Sequence, residues 1–144
     1  MTDEAGSASL EFVTAGMILL MPIVYLVLTM AAVQAGALAV EGAARQAVRV
    51  FVQADNEQSA QARAERAVEF ALADYGLDAD AANITVTCRP KPGDCLDRLS
   101  TVAVTIGIAI PLPLMPPAIT ANVPLSVPLQ ASATQRVSRF WRTP

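Results

Sequence analysis

Histidine is absent from the 144 residues, and the chain has only two cysteines and one tryptophan. Without histidine the commonest general acid–base group is missing, and serine–histidine or cysteine–histidine nucleophile pairs are excluded. No glycine-rich phosphate loop occurs. The carboxylate pairs Asp78/Asp80 and Asp94/Asp97 fall in turn-like stretches and read as solvated loop acids. The chain is therefore not expected to be an enzyme, and no cofactor is implied. A metal centre needs about four ligands, which two thiols and no imidazole do not supply. Ten Lys and Arg stand against thirteen Asp and Glu, a net charge of -3, with no concentrated basic face of the kind nucleic acid requires.

Charge is also scarce, at 16% of residues against 53% apolar. Its distribution carries most of the information. Asp3, Glu4 and Glu11 are the only charged side chains before Glu41, and from residue 41 onward acids and bases balance. From Phe12 to Val40 there is no charge at all. At about 1.5 Å rise per residue a helix of that length spans roughly 43 Å, more than the ~30 Å hydrocarbon core of a bilayer. A secretory h-region is typically about 7–15 residues long, and this run exceeds it. A membrane-spanning or filament-core helix is expected, interrupted and kinked at Pro22 because proline lacks a backbone donor. Gly16, Gly36 and Gly42 permit close helix approach.

After Val40 the pattern stays helical, with Ala44, Val48 and Val52 on one stripe and Arg45 and Arg49 on another face. A second helix follows, capped by Asp55 or Asn56 and closed near Gly76; Ala60, Ala64, Ala67, Val68, Ala71 and Tyr75 form its apolar face. From Asn83 the period changes to two. Ile84, Val86 and Cys88 line one strand, and Val102 through Ile110 line a second. A third alternates from Ile119 through Leu129. The link "PLPLMPPA" cannot be a central strand, and Pro124 and Pro128 push the third strand to an edge, or push its regular part to after Leu129. Helices and strands are segregated, which indicates an α+β fold: a long N-terminal helix, a shorter helix and an antiparallel sheet of about three strands.

Cys88 and Cys95 bracket "CRPKPGDC", in which Pro90, Pro92 and Gly93 are turn formers. A bridge there would stabilise by roughly 2.5 kcal/mol on the loop-entropy estimate. It would require an oxidising compartment, placing this part of the chain outside the cell; free thiols are the alternative. The tail "QRVSRFWRTP", with Arg136, Arg139 and Arg142 around Phe140 and Trp141, reads as a solvated or partner-packed terminus.

Glu11 is the residue that needs a reason. A carboxylate inside a span costs about 2.5–3.5 kcal/mol at the centre and less near the interface. An acid facing water at the interface is one reading. The other begins with Gly6: a cut after it gives Ser7 a positive amine. Glu11 of one chain can then pair with the Ser7 amine of its neighbour and fix axial register. Gly6, Glu11 and Phe12 ahead of a long apolar run resemble the processing site of type IV pilins, and are most similar to TadE-like pseudopilins (minor pilins) of tight-adherence, or Flp, pili. The resemblance implies a leader of residues 1–6, an assembly helix of 7–53 and an extracytoplasmic α+β domain of 54–144. It implies cleavage between Gly6 and Ser7 by a prepilin peptidase, with Glu11 and Phe12 as recognition and assembly residues. The implied partners are that peptidase, the major pilin and other pseudopilins, and the inner-membrane assembly platform. The implied location is the cytoplasmic membrane, single-pass with the C-terminal domain outside, and beyond it the cell-surface pilus.

Charge alone would orient the span the other way, since the leader holds Asp3 and Glu4 and the nearest basic residues are Arg45 and Arg49. The cysteines and the processing motif favour an outer C-terminal domain. Two other outcomes are consistent with the sequence. A signal peptidase cut after Ala37 or Ala39 would release a secreted domain, and an uncleaved signal anchor would display a binding domain.

Overall fold

The computed structural model describes residues 5–114 and 125–141, with side chains from Ala8 onward. One helix dominates. α1 runs unbroken from Ala5 to Phe51, through Pro22, and so begins two residues ahead of the expected boundary at 7. Its two halves differ in environment. From Leu10 to Met30 the large apolar side chains are exposed. From Ala39 onward Val40, Ala43, Ala44, Ala47, Val48 and Phe51 are buried at helical spacing.

α2, Glu57–Ala73, starts at Asn56, whose side chain accepts from Ser59 N at 2.8 Å while Ser59 Oγ accepts from Asn56 N at 3.3 Å. This reciprocal pair is a capping box. The helix ends where Gly76 takes φ +68°, with Leu77 N–H donating to Leu72 O and Gly76 N–H to Ala73 O, the Schellman arrangement. Ala60, Ala64, Val68 and Leu72 are its buried residues, and it lies alongside α1. Ala67 and Ala71 are half-buried, and Tyr75 is 48% exposed. The expected face is therefore rotated onto Leu72, because the closing turn carries Tyr75 past the helix end.

Three antiparallel strands follow: β1 Asn83–Arg89, β2 Thr101–Pro111 and β3 Ser126–Arg136, in the order β1-β2-β3. A short 3-10 turn, Ala79–Ala81, leads into β1. The central strand buries Val102, Val104, Ile106, Ile108 and Ile110, against the C-terminal half of α1. The expected α+β architecture is present, with its core formed where α1, α2 and the inner sheet face meet.

β3 begins at Ser126, and the part of the expected alternation from 119 to 124 lies outside the described residues, as does most of the proline-rich link. Proline at the edge has a visible logic. Ladder bonds join Val137 N to Ser100 O and Leu112 N to Leu125 O, so alternate residues between them, Pro128 included, turn their backbone to the free edge. There the missing N–H costs no ladder bond.

Gly36 sets how closely helix and sheet approach. A β-carbon there would stand 2.9 Å from Ile110 Cγ1 and 3.0 Å from Leu129 Cδ1. The close approach expected of Gly36 is thus made to the chain's own sheet. Gly16 and Gly42 have open space around them.

Candidate assembly site

The site is the free half of α1. Seen from the domain it is a rod: Leu10, Phe12, Met17, Leu20 and Met21 are each at least 60% exposed. In water such a surface would be unfavourable at roughly 25 cal/mol per Å², so its composition suits lipid or other helices. Its two threonine hydroxyls are satisfied within the helix, as Thr14 Oγ1 donates to Leu10 O and Thr29 Oγ1 to Tyr25 O, each at 2.8 Å. That matters in hydrocarbon, where no water is present to bond them. The buried Tyr25 hydroxyl, by contrast, has no partner among the described residues. α1 is long and apolar enough to cross a membrane once.

Gly6 and Ser7 fall in the first turn of α1, and Glu11 and Phe12 come one turn later, both exposed. Ser7 and Glu11 are four residues apart, about one turn of helix. Among the described residues the ion pairs are Glu41–Arg45, Asp55–Arg63 and Lys91–Asp97. Glu11 takes part in none of them.

The opposite end of the molecule is braced. Cys88 and Cys95 form a disulfide. Glu57 Oε1 accepts from Cys95 N at 2.7 Å, joining the bridge to the start of α2. The buried Ser100 donates its hydroxyl to Cys95 O at 2.5 Å. Trp141 Nε1 donates to Ala54 O at 3.1 Å, and its own carbonyl accepts from Arg98 Nε at 2.9 Å. Of the tail, Val137 is buried, Trp141 is half-buried and Phe140 is 78% exposed; its anchor is the chain itself. Local pattern does not reveal the bonds of Glu57 and Trp141, because each acts across a long sequence separation, whereas Ser100 reaches only five residues back to Cys95. Among the described residues no three His, Cys, Asp or Glu side chains gather as a metal site would require.

Replacing Cys88 with serine is expected to lower stability by about 2–4 kcal/mol and to leave α1 helical. Unfolding followed by circular dichroism, with and without reductant, checks this. Equal midpoints for the variant and the oxidised parent would mean that the bridge contributes nothing.

No family model, no curated protein and no solved structure matches the chain.

Proposed function

We propose that the chain is a TadE-like minor pilin, cut after Gly6 by a prepilin peptidase and required to assemble a tight-adherence pilus. The observation that carries this reading is the division of α1. One half is an exposed, charge-free rod tipped by Glu11, and the other half is the centre of a folded head. A rod of this kind is held first by the bilayer and then by the rods of neighbouring subunits. The Ser7 amine released by cleavage supplies the charge that Glu11 lacks within its own described surroundings. The disulfide at the far end suits an extracytoplasmic head.

The secreted-domain reading meets a physical obstacle. Cleavage after Ala37 or Ala39 would sever α1 where it enters the core, beside Gly36 and at Ala39, which is 1% exposed. A signal anchor keeps the helix whole and differs only at the N-terminus.

Mass spectrometry of the mature N-terminus, in cells that make the pilus machinery, separates the readings. A start at Ser7 is expected, and Gly6→Leu should abolish it, leaving the full-length chain in the membrane. A mature start at Leu38 or Val40 would establish the secreted domain, and an intact leader the anchor.

A further inference from the structure

The head presents an uncharged end to the membrane side. From Leu99 to Gln135 no residue carries a charge, and this stretch supplies β2, all of β3 but its last residue Arg136, and the link between them. β2 runs antiparallel to α1. Its start lies near the far end of the head, where Val137 N bonds Ser100 O and Trp141 bonds Ala54, while Ile110 abuts Gly36. The link therefore leaves the sheet on the side facing the free half of α1. Leu112, whose N–H donates to Leu125 O at 3.2 Å, is half-buried, as are Pro113 and Leu125. Leu114 is 75% exposed. On α1 the half-buried Tyr25, Thr29, Ala32 and Val33 continue the line of Gly36 beyond the sheet.

Lengths place this end against the bilayer. With Glu11 at one edge, a ~30 Å hydrocarbon core takes about 20 helical residues and ends near Ala32. Gly36 stands about 6 Å further along the helix. From Ile110, level with Gly36, two strand residues at ~3.3 Å each bring Leu112 back to that edge. The nearest acids on the β1 side, Asp78 and Asp80, belong to a turn that sits beside Gly107, Ile108 and Ala109, about 10 Å or more back along β2 from Leu112, and so remain in water. Pro111 and Pro113 lack the N–H that hydrocarbon would leave unsatisfied.

We infer that Leu112, Pro113, Leu114 and Leu125 are embedded in the outer leaflet beside α1, in contact with acyl chains just beneath the headgroups. The head thus rests in the bilayer at one edge instead of standing clear of it. This rests on α1 being a span. The absence of charge matters because one ionised side chain here would oppose insertion, whereas leucine favours it.

The test uses the full chain in phosphatidylcholine–phosphatidylglycerol vesicles with bromine on the upper acyl chain. Three proteins are compared: the parent, Leu114→Trp and Val27→Trp. Trp141, at the far end of the head, gives the unquenched background. The fluorescence added by either new tryptophan is expected to fall by half or more on brominated lipid. Quenching at 27 with none at 114 would overturn the embedding and leave the span standing. Quenching at neither would overturn both. Leu114 is exposed, so the substitution is tolerated by packing; should that variant fail to fold, Leu125→Trp provides the same readout.

Discussion

If the chain is the proposed pilin, Glu11→Ala is expected to leave membrane insertion and cleavage after Gly6 largely intact, yet cells carrying it as their only copy are expected to shed no pili. The reason is electrostatic. In the proposed array of packed α1 rods the Ser7 amine of one subunit would be withdrawn from water and would need a nearby anion. Removing one member of a desolvated pair leaves the other uncompensated, at about 3–5 kcal/mol, repeated wherever the subunit is inserted. Insertion itself does not suffer, since deleting a carboxylate near the interface removes a cost. Glu11→Gln should behave like alanine, because its shape is kept and its charge is lost. Immunoblots of membrane and sheared-filament fractions check both statements. Pili at parental levels from Glu11→Ala would remove the pairing role while leaving the processing site intact.

The largest loss of stability is expected from Ile106→Ala. Ile106 is fully buried at the centre of β2, paired with Ile84 on one side and Ala131 on the other. Ile→Ala at such a site costs about 2–5 kcal/mol, the lost transfer term plus the cavity left behind. Against a total of roughly 5–15 kcal/mol that is a large fraction, and the thermal midpoint should fall on the order of 10 °C or more. Thr105 points the other way, its hydroxyl bonded to Ser132 Oγ at 3.0 Å across the exposed face. Thr105→Ala should move stability by about 1 kcal/mol or less. Comparable losses from the two variants would mean that the inner sheet face is not the one packed on α1.

Much of this fold was readable from periodicity. The step from a 3.6 to a 2-residue repeat near Asn83 placed the boundary between helices and sheet, and Pro128 marked an edge strand. What could not be read was which elements meet. Gly36 looked like a glycine for helix–helix contact, since nothing local says that Ile110 will stand opposite it. Tyr75 fitted the apolar stripe of α2, but Gly76 ends the helix first and Leu72 takes the buried place. Glu57 and Trp141 bond across the fold to Cys95 and Ala54, pairings set by the register of whole elements. The candidate site divides similarly. Glu11 and its apolar run are conspicuous in sequence, whereas the partner that would explain the acid would, on the proposed function, belong to another molecule.

The double nature of α1 has a mechanical consequence. The helix whose free half would tether the head is also its central beam, and β2 lies along it in the opposite sense. A pull on the tether is delivered as shear along the rows from Val40 to Phe51 and from Val102 to Ile110, which are loaded together. Resistance to such a pull is set by the rate at which the whole interface gives way, so under tension the head should hold as a block and then release abruptly.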